Sequence, residues 1–489
     1  MIVALLLVPA LAGLAAFFIR SDHIRRVMLV AAPAVHLALV ALAWTRPVAP
    51  SRSGWLALDA PGLLFLTVTS VLFALASLYG VNYLAHEQHA ARPDFEEGTL
   101  FADGPEAVFT GCLLLFLATM TLVTVSQHLA VLWVAVEATT LASAPLIFFH
   151  RHHRSLEATW KYLLVCSVGI ALALLGTFFL AIAAAHGGGG EASMVLSRMV
   201  AQAASFHQPW LKVAFVFILV GYGTKMGLAP LHTWLPDAHA EAPSVASALL
   251  SGALLNCAFL AVLRVHQVMI AAGMGEFSGE LLRLFGMISM AVAAVSIVGQ
   301  SDYKRMLAYS SVEHVGILAL GVGLGAAGTF GALLHAVNHS VVKATLFMLA
   351  GNILAITHTK STATVRGVSR ILPVTGVLWI AGMLAITGSP PFGLFVSELA
   401  IARAAMDGGR FVILGLYLFL LFVVFLGMGR ICLDMAQGEP TPGTARQREA
   451  VWAVLPAALL LAGSVLLGLA PPGRLIALLH AAAASLGGV

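Results

Sequence analysis

Ionisable side chains set into lipid-soluble sequence are where this chain could do chemistry. Lys225 lies inside residues 213–228 (VAFVFILVGYGTKMGL), and Pro230 interrupts that stretch five residues later. A cation at membrane depth costs from about 3 to more than 10 kcal/mol, so it is retained where it has a partner and a task. Glu137, Lys343 and Glu398 are charged residues in similar apolar segments, and His335 and His339 precede Lys343 by two helical turns and one, along a single helix face. Groups that gain and lose protons, strung through an apolar bundle, make a route for ions.

The elements that must position these residues follow from composition. Of 489 residues, 60% are hydrophobic and 10% charged, with a mean hydropathy of +0.96. Long continuous apolar runs of about 20 residues predict transmembrane helices, and the lack of alternation excludes a β-barrel. The fold class is an all-α polytopic membrane protein of about fourteen spans. The formal charge of +4 is scattered and resembles no nucleic-acid surface. Cys112, Cys166, Cys257 and Cys432 lie far apart without a CxxC pair, which argues against a metal cluster or a disulfide in this chain. The first apolar segment lacks a basic flank and a cleavage site, and reads as a retained span.

Two of the spans are predicted to be broken. The stretch 372–406 is too long for one straight helix and contains Gly388-Ser389-Pro390-Pro391, and the Lys225 span breaks near Pro230. Freed backbone groups at membrane depth are tolerated only beside protein or a watery cavity, and broken helices in corresponding halves point to a transporter built from repeats. The chain divides into an N-terminal three-helix region (1–106), a first five-helix repeat (107–265), a second (280–433) and a C-terminal helix (451–489). Five spans per repeat is odd, so the two copies are expected to be inverted, with the seventh and twelfth helices broken.

Arginine and lysine counts set the orientation. Loops on one side carry 14 of these residues and loops on the other carry 9, including Arg264 and Arg283, while Lys161, Lys225 and Lys343 lie in or near spans. By the positive-inside rule the richer side is cytoplasmic and both termini face outward.

The segment 221–243 (GYGTKMGLAPLHTWLPDAHAEAP) resembles the signature of the antiporter-like subunits of respiratory complex I, membrane-bound hydrogenases and Mrp-type cation/proton antiporters. Residues 136–145 (VEATTLASAP), 155–168 (SLEATWKYLLVCSV) and 393–399 (GLFVSEL) are most similar to hydrogenase-4 component F, of the formate hydrogenlyase type. The resemblance covers essentially the whole chain. It implies a proton-translocating subunit of a membrane redox complex, working beside other membrane subunits and a cytoplasmic electron-transfer arm. It implies no cofactor in this chain, with iron–sulfur clusters, and nickel–iron in a hydrogenase, carried by partner subunits. Protons are the expected cargo, with sodium as the alternative.

By that resemblance Glu137 pairs with Lys225 as a switch. A carboxylate close by favours the ammonium form, and with the carboxylate turned away burial favours the neutral amine, so the proton leaves. The relay continues on the eighth span, where Asn256 stands at the position of a lysine in many relatives and Ser251 at that of a histidine in others. Neither carries a proton, so water must bridge that section. His314, His335, His339 and Lys343 follow, and Glu398 ends the relay. The bland alternatives are a helix-stapling Glu137, a packing cation at Lys343 and hydrogen-bonding core histidines.

Elsewhere, Lys161 beside Trp160 and Tyr162 reads as an interface anchor. His152 and His153 read as part of a solvated basic loop, and His232 and His239 shape the break or admit protons. The acidic residues Asp94, Glu96, Glu97, Asp103 and Glu106 read as a solvated loop or a docking site for a basic partner. The glycine tract 187–190 lacks the residues of a phosphate-binding loop. Two other functions fit the same residues: an Mrp-type sodium/proton antiporter subunit, and a membrane scaffold with a vestigial channel for a hydrogenase or an inorganic-carbon uptake partner, the latter favoured by Asn256.

Overall fold

The computed structural model describes residues 1–86, 92–94, 98, 100–186, 193–440 and 445–487. The glycine tract 187–190 and the acidic residues Glu96 and Glu97 lie outside the described residues. Three helices open the chain: α1 (Ile2–Phe18), α2 (Asp22–Ala43) and α3 (Ala60–His86). A short antiparallel pair, β1 (Arg92–Pro93) and β2 (Leu100–Phe101), precedes α4 (Glu106–Val125). Then come α5 (Leu129–Ile147), α6 (His153–Ala185), α7 (Leu196–Gln202), α8 (Gln208–Met226), α9 (Trp234–Glu241), α10 (Ser244–Leu249) and α11 (Leu255–Ala271). The second part comprises α12 (Gly275–Ile297), α13 (Tyr303–Gly323), α14 (Ala326–Thr357), α15 (Val368–Ile371), α16 (Pro373–Ile386), α17 (Gly393–Asp407) and α18 (Phe411–Gln437). The C-terminal region, expected as one helix, holds two, α19 (Val451–Leu469) and α20 (Gly473–Ser485).

Among the described residues, 11 helices are long and apolar enough to cross a membrane, α10 and α11 counting as one through a π-helical turn at Leu250–Leu254. The shorter apolar helices are α1, α16 and α20. Both expected breaks are present. Gly227 ends α8 in a left-handed conformation that a Cβ disfavours, and Pro230 lies in the loop before α9. The stretch 372–406 is divided by residues 387–392 into α16 and α17.

Burial sorts centre from periphery. The most apolar window of α10–α11 is 100% buried and that of α13 is 94% buried, whereas that of α18 is 17% buried and presents Phe411, Val412, Phe419 and Phe422 outward. In lipid, apolar area does not itself drive helices together, so close approach through small residues does. Along α6, Gly169 and Ala173 lie against Gly221 of α8, where an added Cβ would meet the Ala173 amide and the Gly169 carbonyl. That contact fixes the height and rotation of α8 one turn before Lys225.

Five of the cations counted in loops prove to be buried, Arg25, Lys304 and Lys360 on one side and Arg264 and Arg283 on the other. Arg264 is 1% exposed within α11 and donates to the Thr124 carbonyl (2.9 Å), and Arg283 in α12 is buried and donates to the Gly323 carbonyl (2.5 Å). None of the five belongs in a loop charge count.

Candidate functional site

Helix α5 carries Glu137 half-buried, and α8 carries Lys225 fully buried across from it. The two do not touch. Lys225 Nζ donates to Thr140 Oγ1 (2.8 Å) and Tyr162 Oη (2.6 Å), and lies 4.4 Å from the Tyr162 ring centroid. Thr140 Oγ1 in turn donates to Glu137 Oε2 (3.3 Å), while Ser167 Oγ donates to Glu137 Oε1 (3.0 Å). The expected pair is therefore joined through one hydroxyl instead of a direct ion pair. Tyr162 Oη also exchanges a hydrogen bond with Ser143 Oγ (2.6 Å). Thr140 sits one turn after Glu137 because i and i+3 share a helix face.

The middle section is built of hydroxyls. Ser251, within the π-helical turn, meets Ser311 Oγ of α13 at 2.8 Å, and Asn256 Nδ2 donates to Ser340 Oγ of α14 (2.7 Å). Ser311 Oγ donates to the Leu307 carbonyl (3.2 Å), which also accepts from Lys343 Nζ (2.6 Å). Asn256 Oδ1 has no hydrogen-bond partner.

Helix α14 brings His335, His339 and Lys343 to one face, all fully or almost fully buried. His335 Nε2 lies 2.9 Å from His314 Nδ1, and His335 Nδ1 lies 3.0 Å from Ser397 Oγ of α17. The His339 ring is 5.0 Å from the His314 ring, and neither of its nitrogens has a partner. Glu398 is buried, with Oε1 unpartnered and its carboxylate against Gly388, where a side chain would occupy the same space. Gly388 also has φ +66°, which suits glycine on backbone grounds. Glu398 borders a cleft of about 270 Å³ lined also by Thr387, Phe395, Tyr417 and Phe422.

Helix α9, between the break and the eighth span, ties the two halves together. Asp237 and Glu241 stand at i and i+4 on one face. Asp237 binds Lys161 of α6 and Arg305 of α13, each at 3.0 Å. Glu241 binds Lys360 at 2.7 Å and lies 3.7 Å from His152 Nε2. Lys304 Nζ of α13 donates to the Ala242 carbonyl just beyond (2.7 Å). Between the two carboxylates, His239 is buried with both nitrogens unpartnered and stacks on Phe347 of α14 at 4.9 Å. Trp234 at the start of α9 donates to the Thr224 carbonyl (2.8 Å) and packs on Tyr162 at 5.0 Å. His232, in the break, has Nδ1 unpartnered and meets the Tyr309 ring edge-on at 6.1 Å.

Several loop expectations are corrected here. Lys161 makes ion pairs with Glu157 (2.6 Å) and Asp237 (3.0 Å). His152 is buried, and its Nδ1 caps α6 by accepting from the Ser155 amide (3.0 Å). Burial holds the His152 pKa below its ordinary value, against the upward pull of Glu241. The acidic residues Asp94, Asp103 and Glu106 are not a solvated patch, since they face Arg154, His150 and Arg26 at 2.8 Å each. Their partners are far away in sequence, which loop composition does not reveal.

Sequence reasoning missed the hydroxyls Thr140, Tyr162, Ser143, Ser167, Ser311 and Ser397. Polar but uncharged, they give no signal against an apolar background. Glu313 is a different omission: it is 3% exposed inside α13 and interacts electrostatically with Lys343. The test that singled out Glu137, a carboxylate inside an apolar run, applies equally to it.

Comparison with known proteins agrees with this architecture. The family model described as NADH:quinone oxidoreductase/Mrp antiporter, TM matches residues 126–425, and the chain belongs to that family. Within it, the chain is an antiporter-like membrane subunit of the complex I, hydrogenase-4 and Mrp group. The hydrogenase-4 component F homolog of Methylacidiphilum infernorum is 38% identical over 352 residues, covering 71% of this chain and 72% of that protein. A chain of the membrane-bound sulfane sulfur reductase, an archaeal respiratory membrane complex, superposes with a TM-score of 0.86 at 22% identity, covering 99% of this chain and 98% of that one. A chain of the Mrp complex from Dietzia sp. DQ12-45-1b gives 0.84 at 21% identity, covering 99% and 97%.

Proposed function

We propose that this chain translocates protons as a non-redox subunit of a membrane-bound redox complex of the hydrogenase-4 or complex I type, in the prokaryotic plasma membrane. Fourteen crossings result when α8 with α9 and α16 with α17 are each counted as one broken span and α1 is included. The two five-helix units are then inverted repeats, and both termini face outward. The observation that carries the proposal is Lys225, fully buried and held by the hydroxyls of Thr140 and Tyr162, with Glu137 one hydroxyl further away. A proton leaving Lys225 has a donor-acceptor string to follow through Ser251 and Ser311 to Lys343 and the histidines, with Asn256 beside it and water filling the intervals. His232 and His239, at and just beyond the break, admit protons to this string or shape the break.

Energy comes from electron transfer in partner subunits, which carry the iron–sulfur clusters and, in a hydrogenase, nickel–iron. In vesicles containing the complete complex, Lys225→Ala and Glu137→Gln are expected to cut proton translocation by about a hundredfold or more while assembly persists. Undiminished pumping in both variants would refute the assignment. The structural likeness to the Mrp complex chain favours a second reading, a sodium/proton antiporter subunit. Dissipation of a pH gradient by added sodium decides for it, and a nickel–iron hydrogenase large subunit encoded alongside decides for the first.

A further inference from the structure

We propose that His314, His335 and Glu398 form a binding site for a divalent transition metal of the zinc class, and that a metal held there blocks passage through the second half of the chain. Each residue offers one ligand atom, these atoms lie within 4.8 Å of one another, and all three residues are buried. Two histidines and a carboxylate are a donor set for zinc, whereas sodium, magnesium and calcium prefer oxygen ligands.

The hydrogen-bond network fixes which nitrogen is free. Ser397 Oγ donates to the Leu394 carbonyl (2.9 Å), so toward His335 it acts as an acceptor and His335 Nδ1 carries the hydrogen. In a neutral ring His335 Nε2 is then bare and accepts from His314 Nδ1–H, which leaves His314 Nε2 as a bare lone pair. That nitrogen and Glu398 Oε1 are both buried atoms without a hydrogen-bond partner. Ser397 thereby orients a ligating ring from outside the metal shell, the arrangement that metal-binding histidines commonly use.

Metal and proton compete for the same lone pairs. A metal shared by His335 Nε2 and His314 Nδ1 takes the place of the hydrogen between them: that hydrogen moves to the bare His314 Nε2, the ring stays neutral, and with metal–nitrogen bonds of about 2.0–2.1 Å in a tetrahedral site the 2.9 Å contact opens to about 3.3 Å. His339, with both nitrogens unpartnered, lies beside the His314 ring and outside the three-residue cluster, so solvent completes the coordination. The charges facing the site are Lys343, which interacts with His314, and Glu313, which interacts with Glu398 and offsets part of the added charge.

The block rests on the relay proposed above, whereas the site does not, and the experiment separates them. The purified full-length chain is dialysed against zinc, and bound metal is measured by elemental analysis, with cobalt as a spectroscopic substitute. About one zinc per chain is expected, with the strong visible absorption of tetrahedral cobalt, lost in both His335→Asn and Glu398→Gln. His36→Gln, which alters a buried histidine bonded to Ser70 and Thr121 away from the cluster, is expected to retain the metal. No bound zinc, or zinc retained by both cluster variants, overturns the site. In vesicles, translocation is expected to fall in proportion to occupancy. Zinc bound with translocation unchanged overturns the block while leaving the site standing. Translocation absent before zinc is added counts against the relay alone.

Discussion

Thr140 links the carboxylate and the amine of the first half through one hydroxyl. Its hydroxyl accepts from Lys225 and donates to Glu137, so one side-chain rotation breaks or makes the connection. Thr140→Val keeps the shape and removes the hydroxyl. It is expected to lower translocation by about tenfold or more, and Thr140→Ser to retain most of it. Equal rates for the two variants would show that the hydroxyl is not on the path. At the other end, Glu398 shows the same economy of contact, with one oxygen unpartnered and the neighbouring backbone kept bare by Gly388.

At the scale of elements, α9 is the coupling piece. Its two carboxylates are each shared between a group on the first half and one on the second, and its Trp234 and His239 reach toward Tyr162 and Phe347. The two clamps differ in burial. The Lys161 and Arg305 side chains are 47% and 40% exposed, whereas Lys360 is 4% exposed. Asp237→Asn is therefore expected to cost about 1 kcal/mol or less. Glu241→Gln is expected to cost more, on the order of 3 kcal/mol, in thermal unfolding of the purified protein. The α6–α8 contact makes a separate prediction. Gly221→Val forces a branched side chain against Ala173 and Gly169, costs about 1–3 kcal/mol, and moves Lys225 away from Thr140. Lost translocation with a lowered melting temperature is the expected result, and unchanged values for both would refute the close-packing argument.

For the whole molecule, orientation is the testable statement. Removing the buried Arg25, Lys304 and Lys360 from one side and Arg264 and Arg283 from the other leaves the charge bias in the same direction that sequence counting gave. With both termini outside, Ser53→Cys between α2 and α3 is expected to react with a membrane-impermeant thiol reagent from the outer face. Thr364→Cys between α14 and α15 is expected to react only from the cytoplasmic face. Both positions are exposed, and the four native cysteines are buried, so the background is low. The reverse pattern of labelling would invert the topology.

Much of this molecule is legible in one dimension. Spans, breaks and the membrane class follow from hydropathy and from Gly227, Pro230 and the 388–391 run, because the penalty for unsatisfied backbone or charge in lipid acts on local sequence. The same penalty singled out Lys225, Lys343 and Glu398 as candidate relay residues. Tertiary structure alone decided that Thr140 stands between Glu137 and Lys225, that His335 faces both His314 and Ser397, and that Asp94 and Glu241 are neutralised by partners. Those facts depend on helix rotation and depth to within a hydrogen-bond length, and on residues as distant in sequence as Glu241 and Lys360 meeting in space. Composition and spacing constrain neither.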